Sequence, residues 1–161
     1  MAAALQYLKE HQLFEYDDLA AKTDAATAQF HTLAGDIQQT EAELSRVSDL
    51  MAAVVQYAKT RPAFDGYKAA KYSRKYLAEH EAVLADYRAA KATMAELLGG
   101  EKLPKMDVLK EKRRQLAARK KALYLEYRKA QQDMRELVAV KGSVDHLRGL
   151  TDNQRNKEQA R

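Results

Sequence analysis

Between residues 110 and 121 seven cations, Lys110, Lys112, Arg113, Arg114, Arg119, Lys120 and Lys121, stand against a single acid, Glu111. On a helix with about 3.6 residues per turn they point in nearly every direction. Even with one side against a partner helix, part of the set stays open to phosphates, whose neutralisation releases counterions. The competing reading is a solubilising face with ion pairs inside the chain, each worth little while exposed. A second cluster interleaves Tyr57, Tyr67, Tyr72 and Tyr76 with Lys59, Arg61, Lys68, Lys71, Arg74 and Lys75. Rings for stacking and cations for the backbone are what single-stranded nucleic acid binders combine. Tyrosines also fill the corners of helical hairpins, ring buried and hydroxyl wet. The discontinuity at Lys71, Tyr72 and Ser73 is where an exception to that second reading is expected.

Other chemistry finds little support. The four histidines, His11, His31, His80 and His146, lie on separate segments, and none has the i, i+4 partner that places two ligands on one helix face. His80-Glu81 is half of a zincin motif without its second histidine. There is no glycine-rich phosphate loop and no nucleophile elbow, and no serine has a reason to pair with a histidine. Helix-surface carboxylates are ordinarily a solvated face. The expectation is no catalysis, no metal, no cofactor and no small-molecule substrate.

The elements that must carry these residues are helices. Of 161 residues only six are Gly and two Pro, none is Cys, and Ala, Leu, Lys, Glu, Arg and Gln dominate. Without cysteine there is no disulfide framework, thiolate metal site or thiol nucleophile, and a reducing cytoplasm is expected. The longest apolar run, residues 50–55, falls far short of the ~20 residues of a membrane span. The start of the chain lacks the basic region of an export signal. Charge is unevenly spread: residues 1–58 hold three Lys and Arg against nine Asp and Glu, residues 59–161 hold 25 against 14. A clustered field of this kind attracts polyanions.

A first helix is expected over 2–11 and a second over 17–59, opened by Asp17 and Asp18 at the positive end of its dipole. Ala26, Phe30, Leu33, Ile37, Thr40, Leu44, Val47, Met51, Val54 and Ala58 alternate steps of three and four after the first heptad, a coiled-coil seam. At ~1.5 Å per residue that helix is ~65 Å long and needs a partner along its length. Thr60, Arg61 and Pro62 are expected at the first corner, because proline breaks a helix interior but suits a first turn. A short helix over 62–70, Ser73 as N-cap of a helix over 74–98, and the Gly99-Gly100 to Pro104 loop follow. The last helix, 105–148, repeats Leu109, Leu116, Leu123, Ala130, Leu137 and Val144 every seven residues. Its companion column, Met106, Arg113, Lys120, Tyr127, Met134 and Lys141, carries cations that must snorkel or meet acids such as Glu41, Glu43 and Asp49. The expected fold is all-α: an elongated antiparallel coiled-coil hairpin with additional packed helices, one domain over 1–150, and a polar flexible tail over 151–161.

Several spaced blocks carry a resemblance. They are Leu5-Gln6-Tyr7-Leu8-Lys9-Glu10-His11, Val55-Gln56-Tyr57-Ala58-Lys59-Thr60-Arg61, the stretch from Tyr67-Lys68-Ala69-Ala70-Lys71 through Tyr72-Ser73-Arg74-Lys75-Tyr76 to His80-Glu81, Tyr127-Arg128-Lys129-Ala130 and Met134-Arg135-Glu136-Leu137. With Leu103-Pro104 and Val144-Asp145-His146-Leu147, the chain resembles the C-terminal helical region of relaxases, the mobilisation nucleases of bacterial conjugative elements. The resemblance implies an accessory helical module. The family's tyrosine nucleophile and histidine-held metal belong to a separate N-terminal domain, and no residue of this chain matches those motifs.

The expected function is therefore non-catalytic contact with DNA, through phosphates, or with proteins of the transfer machinery. The residues that would carry it are the seven cations of 110–121 together with Tyr67, Lys68, Lys71, Tyr72, Arg74, Lys75 and Tyr76. A rival reading is a stand-alone protein-interaction module of a mobile element, such as an inhibitor of a host nucleic-acid enzyme of the CRISPR effector kind. A third is homodimerisation along the basic seam.

Overall fold

The computed structural model describes residues 2, 3, 6 and 16–159, with side chains through residue 149. Among these residues every regular element is an α-helix and no strand occurs. We number the helices α1 (Tyr16–Ala69), α2 (Arg74–Glu79), α3 (Glu81–Leu98) and α4 (Met106–Gln159). The helix expected over 2–11 lies largely outside the described residues. No described helix is long and apolar enough to cross a membrane.

The chain's contacts divide it into two compact units, residues 1–38 with 121–161, and residues 39–120. In the first, Leu19 packs on Leu137, with Val140 and Val144 beside them, while Leu33 and Ile37 pack on Leu123. Rising number on α1 thus meets falling number on α4, the antiparallel pairing that the two seams predict. Phe30 stacks on Tyr127 with ring centroids 4.9 Å apart. In the second unit Val47, Leu50 and Met51 of α1 bury Leu109 and Leu116 of α4, and Met94, Leu97 and Leu98 of α3 close over the same cluster.

Pro62 does not make the first corner. It lies inside α1, so the helices expected over 17–59 and 62–70 are one element. Proline removes one intrahelical hydrogen bond and crowds the preceding turn, but tertiary packing spans the defect. Tyr87 of α3, 4% exposed, stacks against Tyr57 at 5.2 Å and Phe64 at 4.3 Å, one residue on each side of the proline. Buried Thr60 satisfies its hydroxyl within the helix, donating to the Gln56 carbonyl at 2.7 Å. From here α1 faces α3, so Ala58, expected on the seam, is exposed while Ala53 and Thr60 are buried.

The chain turns instead after Ala69. The Lys71 N–H donates to the Lys68 carbonyl at 2.9 Å and the Tyr72 N–H to the Tyr67 carbonyl at 3.0 Å, the paired bonds of a Schellman C-cap. Ser73 then caps α2, its hydroxyl accepting from the Tyr76 N–H at 3.4 Å. The helix expected over 74–98 is broken once, at His80, whose φ of −121° and ψ of 23° end α2 and begin α3. Its imidazole lies 3.9 Å from the Tyr76 ring and its Nδ1 2.9 Å from the Tyr76 carbonyl, which also accepts the His80 backbone N–H at 3.0 Å. The Tyr76 hydroxyl reaches back to donate to the Ala63 carbonyl at 2.7 Å. Gly66 makes that approach feasible, because a Cβ there would collide with the Tyr76 hydroxyl.

Gly99 ends α3 in the left-handed region at φ 54°, its N–H donating to the Ala95 carbonyl. The last helix begins at Met106, one residue later than expected, and its backbone is helical to Gln159. Residues 151–159 hold neither Gly nor Pro, and extending an existing helix through Gln, Arg, Lys and Glu is far easier than nucleating one.

Candidate nucleic-acid interface

The cations of 110–121 are set by the buried line of Leu109 and Leu116. Helical geometry places Arg113 and Lys120 on one flank of that line, Lys112 and Arg119 on the other, and Lys110 and Arg114 opposite it. Lys120 is half-buried and meets Glu41 of α1 at 3.6 Å, one of the acid partners expected from α1. Among the described residues neither Glu43 nor Asp49 forms an ion pair within 4.0 Å. Lys112 edges a groove with Glu43, Arg46, Val47, Leu98 and Val108. Arg114 is engaged within its own helix, bidentate to Glu111 at 2.8 and 3.0 Å. That contact holds the Glu111 carboxyl below its ordinary range and lifts the already high Arg114 guanidinium further. Lys110, Lys112, Arg113, Arg119 and Lys121 are exposed and form no ion pair among the described residues. Lys121 belongs to the first unit, the others to the second.

The tyrosine and lysine cluster does not join this face. Leu116 packs beside Val47, and Tyr67 stands 20 residues further along α1, about 30 Å of helix rise away. Within the corner the rings have different fates. Tyr76 is sandwiched, 6.0 Å from Tyr67 on one side and against His80 on the other, with its hydroxyl committed to Ala63. Tyr67 is half-buried beneath Tyr72, which meets it edge to face at 5.2 Å. Tyr72 itself is 58% exposed. Lys68 lies over the Phe64 ring at 5.0 Å, and Lys68, Lys71, Arg74 and Lys75 are all exposed. Tyr57, also in this cluster by sequence, is half-buried and stacked on Tyr87.

Sequence reasoning missed a polar cluster in the first unit. The Tyr16 hydroxyl donates to Asp145 Oδ1 at 2.5 Å, Lys141 Nζ donates to Asp145 Oδ2 at 2.9 Å, and the Arg148 guanidinium lies 4.0 Å above the Tyr16 ring. The Tyr16 hydroxyl, then Lys141, hold the Asp145 carboxyl below its ordinary range, and Asp145 in turn raises the Lys141 ammonium. The available signal was Lys141 in the seam column with Asp145 four residues on. Its tyrosine came from 129 residues away. Among the described residues no group of three or more His, Asp or Glu is arranged to hold a metal ion. Comparison with family models, curated proteins and solved structures returned no match for this chain.

Proposed function

We propose that this chain is a non-catalytic accessory module of a DNA relaxase or mobilisation protein that grips DNA through its phosphates, in a cytoplasmic setting. The observation that carries the DNA-binding part is the set of exposed, unpaired cations on α4. Lys110, Lys112, Arg113 and Arg119 lie within one ten-residue stretch of the second unit, and of the cations of 110–121 Lys120 is the one that forms an ion pair with α1 among the described residues. The link to conjugative transfer rests on the ordered sequence blocks that resemble relaxases. The experiment is anisotropy of labelled DNA at about 50 and 200 mM salt, where phosphate-driven binding changes most. Reversing Lys110, Arg113 and Arg119 to Glu is expected to weaken binding at least about tenfold at low salt and to flatten the salt dependence by about three units of slope. Unchanged binding would remove the α4 face from the proposal.

One observation favours protein docking as a second reading. Val108, 55% exposed, borders a groove with an apolar floor of Val47, Leu50, Leu97, Leu98 and Leu109 and a charged rim of Glu43, Arg46, Glu101 and Lys112. A transfer protein, or a host nucleic-acid enzyme inhibited by a free-standing copy, would contact that groove. Val108→Ser, which adds no charge, then weakens capture of the partner and leaves DNA affinity unaltered, the opposite pattern to the charge reversal.

A further inference from the structure

The turn joining α1 to α2 presents the most exposed tyrosine described above on a backbone that its residue types do not favour. Lys71 and Tyr72 are consecutive non-glycine residues with φ of 55° and 60°. The Schellman hydrogen bonds account for the turn, and the Tyr67 to Tyr72 contact is the apolar pairing that accompanies that motif. They do not account for the side chains. Glycine is the usual residue at the position Lys71 occupies, since a Cβ is crowded there. The sequence uses glycine in that role at Gly99, the end of α3, and not here. Strain of this kind is kept where surrounding structure enforces it, and its use must be sought in what it displays.

What it displays is one ring and three cations. Tyr76 is covered by His80 and its hydroxyl is committed, Tyr67 is capped by Tyr72, and Tyr57 is half-buried against Tyr87. Tyr72 alone of the four keeps most of its surface open, braced from below by Tyr67, with Lys71, Arg74 and Lys75 exposed within three residues of it. An aromatic face ringed by flexible cations matches an unpaired nucleobase flanked by its phosphates. In a duplex the bases are stacked on one another and offer no such face to a single projecting ring.

We infer that Tyr72 is a stacking platform for unpaired bases of single-stranded nucleic acid, with Lys71, Arg74 and Lys75 holding the adjoining phosphates. This deepens the DNA-binding reading and rests on it, but assigns the strand-selective part to the turn and not to α4. Of the seven corner residues expected from the sequence, Tyr67, Lys68 and Tyr76 become supports of the platform.

The test measures affinity of the whole 161-residue chain for a labelled single-stranded DNA, its RNA counterpart and the matching duplex, at about 50 mM salt. The wild-type chain is expected to prefer single strands over duplex by about tenfold. Tyr72→Ala brings that ratio close to one, while Tyr72→Phe, which keeps the π face, preserves it. Lys71→Gly relieves the backbone and removes a cation, so it raises the melting temperature and lowers single-strand affinity, a combination that loss of folding does not produce. Equal loss on DNA and RNA supports base stacking as the shared chemistry, and a ratio unaltered by Tyr72→Ala overturns the platform while duplex binding still upholds the α4 face. Failure of the wild-type chain to bind any of the three overturns both.

Discussion

Residue by residue, the chain holds two kinds of local tension with opposite consequences. At Lys71 the left-handed backbone costs a non-glycine residue about 1 kcal/mol. Lys71→Gly should stabilise the fold by about that amount, measured by urea unfolding with an unchanged slope. At Asp145 the tension runs in favour of the fold. Its carboxyl is held low by the Tyr16 hydroxyl and then by Lys141. A depressed acid contributes stability that is fully present above its unfolded value and is lost as pH falls through the lower folded value. Melting curves of the native chain should therefore decline below the ordinary aspartate range, around pH 4 and under. Asp145→Asn should decline less over that window. Glu111, lowered by Arg114, acts with the same sign and leaves a residual slope in the variant.

At the level of elements the instructive case is α1. Proline in a helix interior is ordinarily disfavoured by about 3 kcal/mol relative to alanine, yet α1 passes through Pro62. The difference is made up by the ring sandwich of Tyr57, Tyr87 and Phe64, which holds both halves of the helix on α3. Three expectations follow from this balance. Pro62→Ala, at an exposed position, restores a backbone donor and should stabilise by about 1–3 kcal/mol in thermal or urea unfolding. Tyr87→Ala should destabilise by about 3–5 kcal/mol, because it empties the middle of the stack. The double variant should recover part of that loss, since the sandwich no longer has a proline to bridge.

For the molecule as a whole, stability and binding should respond differently to salt. The described ion pairs, Arg61 with Asp65, Arg114 with Glu111, Lys120 with Glu41 and Lys141 with Asp145, all keep substantial solvent exposure, so each adds little. Stability should shift by less than about 1 kcal/mol between 50 and 200 mM salt, whereas the proposed DNA affinity should fall steeply over the same range. A melting temperature that tracked DNA affinity would mean that the cations of α4 serve the fold.

Helix type, antiparallel pairing and the main core positions were legible in the sequence, since the seven-residue recurrence from Leu109 to Val144 and the column from Leu33 to Met51 leave one face apolar whatever lies opposite. Ser73 and Gly99 were legible as caps for the same reason: their chemistry acts on backbone groups within a few residues. What the tertiary structure decided depends on partners distant in sequence. Pro62 looked like a corner because the ring that overrides it, Tyr87, is 25 residues away, and Asp145 gave no sign of the tyrosine that holds its proton off. The cluster of interleaved tyrosines read as one feature in the sequence. Packing divided it, stacking Tyr57 on Tyr87, setting Tyr67 and Tyr76 in a supporting stack and leaving Tyr72 in solvent. Periodicity states which residues share a face, but only the neighbouring helices determine which of those faces are covered.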